Sequence, residues 1–275
     1  MNDPAVFAPN EATCTPRLIA ASLDVAVYRD VFTPGSRIAE MISEFAITRR
    51  CRKRGDYLFR AGGAFHFFYL LSAGFARSCY VSEDGRERTT GVHLRGDILG
   101  LDGVATGTYA CDAVALEACE VLAIPYETVI AHCQHNPELA HELHRAFSAE
   151  IRNDRNLMLS MSNLSAEGKV ASFLLEMSLR FAARGFSATQ LQLHLTRLEI
   201  GSMLGLKLET VSRALSRFAR LGLITVCLRE IVLVDRDGLM DIIALRTGIE
   251  PAGKKSSSRN FFSTASILIP AIRPA

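Results

Sequence analysis

The stretch IGSMLGLKLETVSRALSRFARLG, residues 200–222, combines apolar residues at helical spacing with an excess of positive charge. Gly205 interrupts the spacing, which predicts a short helix, a turn and a longer second helix packed against the first. Thr196 and Glu199 have the spacing of a capping box, in which each side chain satisfies a backbone N–H of the other residue. The stretch therefore predicts a helix-turn-helix, with a purely structural helical hairpin as the alternative.

Three polar residues of the second helix share one face, because Glu209, Ser212 and Arg213 are spaced i, i+3 and i+4. An arginine can bond both O6 and N7 of guanine, a glutamate can accept from N4 of cytosine, and a serine can meet either kind of edge. Arg217, one turn further on, is placed to contact phosphate. Residues 195–229 hold six Lys or Arg against two Glu, a local excess that favours a nucleic-acid interface over a solvated face without a partner.

Residues 43–135 have the pattern of an all-β barrel or jelly roll, since short apolar stretches alternate with turn signals and glycines. Asp84 and Gly85 fit the tip of a hairpin. Residues 136–165 then switch to helical spacing and predict one long helix. Its apolar stripe predicts pairing with a second copy of the chain, and the alternative is packing against its own barrel. The residues expected at the dimer interface are Leu143, Phe147, Ile151, Asp154, Met158 and Met161.

The remaining segments complete an expected α+β fold: an N-terminal β-barrel, a long dimerisation helix and a C-terminal winged helix-turn-helix. Residues 166–245 predict a mostly helical domain, in which a small hairpin at 222–234 fits the wing. Residues 1–42 form a proline-rich N-terminal segment, with a helix expected near 37–45. Residues 246–275, rich in Ser, Pro and Ala, predict a disordered tail.

The composition limits the class of protein. With 49% hydrophobic and 22% charged residues, and without a long apolar run or a secretory signal, the chain predicts a soluble cytoplasmic protein. Its seven cysteines, an odd number without a C-x-x-C motif, predict reduced thiols. No nucleophile–base pair or metal-ligand cluster stands out, so we expect neither an enzyme nor a metal site. His141 and His144, at i and i+3, are better explained as a solvated helix face than as metal ligands.

A β-barrel, a long helix and a winged helix-turn-helix in this order resemble the CRP/FNR family of bacterial transcription regulators, and within it the FNR branch. The motifs that carry the resemblance are GVHLRGDILGLDGV (91–104), AIPYETV (123–129), MSLRFAARGFS (177–187) and LTRLEIGSMLGLKLETVSRALSRF (195–218). The resemblance implies a homodimer that binds a TTGAT-like inverted repeat in promoter DNA, activates transcription and contacts RNA polymerase.

The same resemblance implies roles for individual residues. The expected DNA-binding residues are Glu209, Ser212, Arg213, Lys207, Arg217, Thr196 and Arg197. Lys207 stands where relatives often have Thr or Ser at the start of the recognition helix; a phosphate contact would offset the missing N-cap, worth about 1 kcal/mol. The expected polymerase contacts are Asp84, Gly85, Arg86 and Glu87, with the basic Arg86 where an acid is common. Ile151 and Asp154 match positions that tune subunit pairing.

Cyclic nucleotides are expected to be poor ligands. The relatives that bind them use an Arg on the phosphate and a Glu on the ribose, both from one segment of the barrel. Here that segment, residues 96–114, contains no Arg and carries Leu101 at the position of the Glu. A bound phosphate would be buried without a counter-charge, which is unfavourable.

An iron–sulfur cluster is also not expected. The [4Fe–4S] cluster of the oxygen-sensing branch needs four thiolates, but only Cys14 precedes residue 45, and Leu122 occupies the place of the barrel cysteine. A ligand set improvised from Cys111 and Cys119 is the alternative. We therefore expect no cofactor and control by expression level or by an unknown signal.

Two further hypotheses concern regulation. Cys227 lies near the wing and is the candidate redox thiol, because its oxidation would disturb the DNA-facing surface. The competing class of protein is a regulatory module whose barrel senses a ligand or the redox state and acts on a protein partner. The basic helix-turn-helix argues against that class.

Overall fold

The structure, a computed structural model, describes residues 47–244. Its first strands are β1 (Thr48–Arg52), β2 (Tyr57–Phe59), β3 (Phe67–Ala73), β4 (Ala76–Val81), β5 (Glu87–His93), β6 (Ile98–Leu99), β7 (Asp112–Ala115) and β8 (Cys119–Pro125). They form two four-stranded antiparallel sheets with the orders β1-β8-β3-β6 and β2-β7-β4-β5. The predicted jelly-roll class is confirmed, in the form of a β-sandwich.

One apolar core fills the sandwich. Strand β3 is buried along most of its length, and side chains of both sheets belong to the same buried cluster. The rings of Phe59 and Tyr109 stack with centroids 4.1 Å apart, and the Tyr109 hydroxyl donates to the Phe67 carbonyl at 2.9 Å. Gly74 allows the tight turn after β3: its φ is +85°, and a Cβ there would lie 2.7 Å from the carbonyl oxygen of Ala118.

Helices dominate the second half. They are α1 (Tyr126–Cys133), α2 (Pro137–Asn163), α3 (Ala166–Ala182), α4 (Arg197–Leu204), α5 (Leu208–Arg220) and α6 (Arg236–Ala244). A three-stranded antiparallel sheet in the order β10-β11-β9 joins them, made of β9 (Gln190–Gln192), β10 (Ile224–Cys227) and β11 (Glu230–Leu233). Within residues 47–244, no helix is long and apolar enough to span a membrane. The helix expected near 37–45 and the predicted tail at 246–275 lie outside the described residues.

Capping side chains fix where the long helices begin. The Asn136 side chain accepts from the Leu139 N–H at 3.1 Å, and Pro137 occupies the first helical position of α2. The Ser165 hydroxyl accepts from the Gly168 N–H at 3.1 Å at the start of α3. The two helices therefore break cleanly between residues 163 and 166 instead of running on as one.

The apolar stripe of α2 has two different environments. Leu143 and Phe147, in the first half of the helix, pack against the core of the sandwich. Ile151 and Met158, in the second half, are 51% and 60% exposed. The sequence pattern predicted one continuous dimer stripe; in the structure the first half of the stripe covers the chain's own sandwich, and the second half is uncovered.

The sandwich and the C-terminal part share a buried ion-pair network. One carboxylate oxygen of Asp97 lies 2.7 Å from the Arg180 guanidinium, and the other pairs with Arg184. Arg180 also donates to the Val92 carbonyl at 2.6 Å, and Arg184 to the Arg95 carbonyl at 2.7 Å. Burial alone would raise the pKa of the Asp97 carboxyl, but the two guanidinium groups outweigh it and hold the pKa below its usual range. The network joins the loop after β5 to the end of α3.

We expect Asp97→Asn to lower the free energy of unfolding by about 2–4 kcal/mol, because two largely buried guanidinium groups lose their counter-charge. Urea denaturation followed by circular dichroism measures the change. The matched control is Glu142→Gln, which removes the partner of Arg145 in a surface pair of 2.7 Å and should cost less than about 0.5 kcal/mol. Equal effects of the two substitutions would show that the network contributes no more than a surface pair.

Candidate nucleic-acid interface

Helix α4 begins with the predicted capping box. The Glu199 N–H donates to the Thr196 hydroxyl oxygen at 3.2 Å, and the Thr196 N–H donates to the Glu199 carboxylate at 2.6 Å. Gly205 ends the helix with a φ of +65°, as predicted from the break in the apolar spacing. Gly201 lets the turn approach α4, since a Cβ there would lie 2.6 Å from the carbonyl oxygen of Leu206. These contacts set the position of α5 against α4.

Helix α5 is sharply divided into two faces. One face packs into the C-terminal core through four buried side chains, namely Val211, Ala214, Leu215 and Phe218. On the other face Glu209 and Arg213 are exposed and Ser212 is half-buried. Three polar side chains that can each meet a base edge therefore point to solvent from a firmly anchored helix.

The first helical residue of α4 reaches the polar face of α5. The Arg197 guanidinium donates to the Ser212 hydroxyl at 3.3 Å, so these two predicted DNA-binding residues are neighbours. Lys207 is the N-cap of α5, and its side chain makes no capping hydrogen bond. The N-cap residue of α5 therefore offers no side-chain acceptor to the first N–H groups of the helix, as the sequence predicted.

Two other predicted DNA-binding residues have partners inside the protein. One guanidinium nitrogen of Arg217 lies 2.6 and 2.8 Å from the two carboxylate oxygens of Glu167. The Thr196 hydroxyl lies 2.7 Å from the Glu199 carboxylate and serves the capping box. In this state Arg217 holds α5 against α3, and Thr196 holds the start of α4.

A buried cation that the sequence reasoning missed joins this domain to the sandwich. Arg77 on β4 has a side chain only 12% exposed; it pairs with Glu87, and its Nε lies 3.3 Å from a Glu199 carboxylate oxygen. Nearby, the Thr89 N–H donates to the Ser202 hydroxyl at 3.0 Å. The capping glutamate of α4 is therefore also the anionic partner in an ion pair between domains.

The ion pair between Arg77 and Glu87 involves one of the four residues predicted to contact polymerase. Asp84 and Arg86 pair with each other at the exposed hairpin tip, where the Arg86 side chain is 86% exposed. Gly85 forms the tip with a φ of +78°. Glu87, in contrast, turns back to Arg77. All four predicted contact residues are exposed, and Glu87 is held by Arg77 as well.

The comparisons with known proteins agree with this architecture. A model of the cyclic nucleotide-binding domain matches residues 49–136, and a model of the Crp-like helix-turn-helix domain matches residues 168–242. The transcriptional activator protein anr of Pseudomonas aeruginosa is 40% identical over 200 residues, which cover 72% of this chain and 82% of that protein. The chain belongs to the CRP/FNR family of transcription regulators.

Comparisons with two other members of the CRP/FNR family also support this assignment. The fumarate and nitrate reduction regulatory protein of Escherichia coli K12 is 34% identical over 211 residues, covering 77% of this chain and 84% of that protein. The structure of FixK2 from Bradyrhizobium japonicum aligns with a TM-score of 0.65 at 29% identity, covering 71% of this chain and 96% of that one. Transcription regulators, not enzymes, are the relatives of this chain, as the sequence predicted.

A cavity of about 770 Å³ lies between the sandwich, α2 and α3, beside the segment in which the nucleotide-binding members of the family hold their ligand. Its lining includes Leu101 and side chains of both charges, among them Glu150, Glu176, Arg145, Arg152 and Arg180. Burial, reinforced by the charge of Asp154, raises the pKa of Glu150 to about 7, and burial also raises the pKa of Glu176. Acidic and basic side chains therefore both face the cavity.

The thiols do not assemble into a cluster site in the described part of the chain. Between residues 47 and 244, no three Cys, His, Asp or Glu side chains are placed to hold a metal ion. Leu122 is fully buried, and burial raises the pKa of Cys111 and that of Cys119, the latter to about 11, which disfavours the thiolate that iron requires. Cys14 lies outside the described residues. The residues of 47–244 therefore do not fit a [4Fe–4S] cluster.

The candidate redox thiol, Cys227, is exposed at the end of β10. It precedes Leu228, which forms the wing tip with a φ of +55° and a side chain that is 93% exposed. The exposed position is compatible with oxidation, and the redox role of Cys227 stays a prediction.

We expect Lys207→Ser to raise the free energy of unfolding by about 1 kcal/mol, because a serine hydroxyl can accept from the uncapped N–H groups of α5. The same substitution should weaken DNA binding, since a cation at the start of the helix is lost. Thermal unfolding and fluorescence anisotropy measure the two effects. Arg220→Ser, at the opposite end of α5, removes the same charge without adding a cap and should not stabilise the protein. If the Lys207→Ser variant is no more stable than the Arg220→Ser control, then the missing cap does not destabilise α5.

Proposed function

We propose that the chain is a homodimeric transcription activator that binds a TTGAT-like inverted repeat in promoter DNA. The observation that supports this proposal most directly is the polar face of α5, which carries Glu209, Ser212 and Arg213. The opposite face of the helix is buried. The names of the relatives from Pseudomonas aeruginosa and Stutzerimonas stutzeri describe transcriptional activators, which supports activation. In this proposal residues 43–135 regulate, 136–165 dimerise and 166–245 bind DNA in the cytoplasm.

Each residue of the polar face has a chemical task in the major groove. Arg213 has no internal ion pair among the described residues and is free to bond guanine. Glu209 can accept from cytosine. Ser212 already accepts from Arg197, and its hydroxyl can still donate to a base or a phosphate. This contact holds Arg197 at the edge of the polar face of α5, where it can contact the DNA backbone.

We expect Arg213→Ala to weaken binding of a TTGAT-N4-ATCAA duplex by about 1–3 kcal/mol and to relax the base preference at one position of each half-site. Fluorescence anisotropy measures both effects, with the TTGAT-N4-ATCAA duplex and with duplexes in which that base pair is changed. Arg220→Ala, about two helical turns beyond Arg213 at the end of α5, is the control and should leave the base preference intact. Unchanged affinity and preference in Arg213→Ala would refute the assignment.

The uncovered part of α2 supports the homodimer. Ile151 and Met158 are seven residues apart, so they share one face of the helix, and both are more than half exposed in the single chain. Asp154 and Met161 extend the same face, while Leu143 and Phe147 pack against the sandwich beside it. A second copy of α2 would cover the exposed apolar side chains.

We expect Ile151→Glu combined with Met158→Glu to shift the chain towards monomer, because charges would replace the apolar surface that the partner helix covers. Sedimentation equilibrium measures the change in dimer dissociation, and binding of the inverted repeat should fall with it. Asn153→Glu, roughly 200° around the helix from Ile151, adds a charge elsewhere and should leave the dimer intact. Identical association of the variant and the natural chain would exclude this face as the interface.

The polymerase contact is assigned to the tip of the hairpin between β4 and β5. Asp84, Gly85 and Arg86 form an exposed hairpin tip that a protein partner can reach. Glu87 serves the domain contact through Arg77 instead, so we assign the contact to the first three residues. Transcription in vitro with Arg86→Ala, at saturated DNA binding, separates a polymerase contact from a DNA contact.

We also propose that the protein works without an iron–sulfur cluster or a cyclic nucleotide. Two observations support this: no three possible metal ligands meet among residues 47–244, and residues 96–114 contain no Arg for a cyclic phosphate. Protein purified without oxygen should show no iron by chemical assay and no charge-transfer band in the visible spectrum. Stoichiometric iron that is lost together with DNA binding on exposure to air would overturn the proposal.

A further inference from the structure

The DNA-binding domain is attached to the sandwich by polar contacts at two separate places. At the first, the Asp97 carboxylate binds two arginines near the end of α3. At the second, the hairpin of β4 and β5 contacts α4, the first helix of the helix-turn-helix. Apolar side chains of the sandwich also join the core of the DNA-binding domain, but apolar contact is not directional. The angle between the two domains therefore depends on the polar contacts.

The Glu199 carboxylate divides its two oxygens between the domains. One oxygen accepts from the N–H and the hydroxyl of Thr196, at 2.6 and 2.7 Å, and so completes the capping box. The other oxygen lies 3.3 Å from Nε of Arg77 on β4. This Nε is buried and is aligned with no hydrogen-bond acceptor in the described part of the chain. The attraction between Arg77 and Glu199 is therefore one of charge.

Ser202 adds a second contact on the same face of α4, since it follows Glu199 by three residues. Its hydroxyl oxygen accepts from the Thr89 N–H at 3.0 Å, and the hydroxyl donates to the Glu87 carbonyl at 3.3 Å. The Glu87 side chain in turn pairs with Arg77. The start of β5 and the side chain of Arg77 thus hold one face of α4.

The end of α2 meets the same place. The Arg88 guanidinium on β5 donates to the sulfur of Met161 at 3.4 Å. Met161 also reaches the turn of the helix-turn-helix, because a Cβ added to Gly205 would lie 3.1 Å from its terminal carbon. The hairpin of the sandwich, the end of α2 and the turn before α5 are therefore neighbours. The angle at which α5 leaves the rest of the molecule is set at this junction.

We propose that Arg77, acting through Glu199, is a positioning residue that sets the spacing between the two half-sites that the dimer binds. The inference rests on the proposed function, in which α2 pairs with a second copy and each α5 enters one half-site. In such a dimer the angle between α5 and α2 fixes the separation of the two recognition helices. One base pair added to the spacer moves a half-site by about 3.4 Å and rotates it by about 35°.

The Arg77 pair is suited to hold this angle. The side chains of Arg77 and Glu199 are only 12% and 20% exposed, so water screens their charges less than it would on the surface. If the charge of Glu199 is lost, Arg77 keeps Glu87 as its partner, and α4 is held less tightly. A loosely held reading domain adapts to wrong spacers, whereas a rigid one engages both half-sites at one spacing.

The test measures binding to a duplex with a single half-site and to inverted repeats with spacers of three, four and five base pairs. We expect the natural chain to prefer the four-base-pair spacer about tenfold over the other two, because only this spacer admits both helices at once. Glu199→Gln keeps an acceptor for the capping box but removes the charge that faces Arg77. It should reduce the preference to about threefold or less and leave the affinity for the single half-site unchanged.

Arg77→Gln removes the other charge of the pair and should flatten the spacer preference in the same way. The matched control is Glu120→Gln, which removes the partner of Arg49 at 3.0 Å inside the sandwich and should keep the tenfold preference. Thermal unfolding and sedimentation identify the variants that are folded and dimeric. Glu199→Gln carries the test by itself if Arg77→Gln does not fold.

Three results would contradict the positioning role. A spacer preference that persists in Glu199→Gln shows that the pair does not set the spacing. A loss of affinity for the single half-site shows that Glu199 acts on the reading helix itself. Equal binding of all three spacers by the natural chain overturns the positioning role and leaves the proposed function intact. If the natural chain binds none of these duplexes better than an unrelated one, the proposed function itself is overturned.

Discussion

The shared carboxylate of Asp97 is the contact on which the arrangement of the molecule depends. It accepts from two arginines near the end of α3, and those arginines also donate to carbonyl groups of the sandwich. Such charge-assisted bonds in a partly dry interface are directional, and they lose much of their strength if one partner moves. With Arg77 bound to the capping glutamate of α4, they hold the DNA-reading helix at a fixed orientation to the sandwich and to α2.

Local signals in the sequence predicted the helix-turn-helix because its determinants are neighbours in the chain. The capping box spans four residues, and Gly205 marks the turn by itself. The ion pairs between domains left no such signal, since Asp97 and Arg180 are 83 residues apart and each is an ordinary surface residue by type. Spacing alone likewise could not show that Phe147 would meet the sandwich while Ile151 stays uncovered, because periodicity describes a face and not what covers it.

The candidate site shows the same limit at the level of single side chains. The face of α5 was predictable, since polarity at i, i+3 and i+4 defines it. The partners of these side chains were not predictable: Arg217 pairs with a glutamate 50 residues earlier in the chain, and Glu87 pairs with Arg77 on the neighbouring strand. The run RRCRKR was visible in the sequence, but only the fold shows that its first arginine, Arg49, pairs with Glu120.

The uncapped start of α5 gives the nucleic acid a part in the folding of the protein. The first N–H groups of the helix point out of its end with no side-chain acceptor, and the helix dipole adds partial positive charge there. A phosphate oxygen placed at this end supplies the acceptor that Lys207 cannot. A DNA phosphate bound there would complete the first turn of α5, so that local order in the protein and occupancy of the groove would rise together.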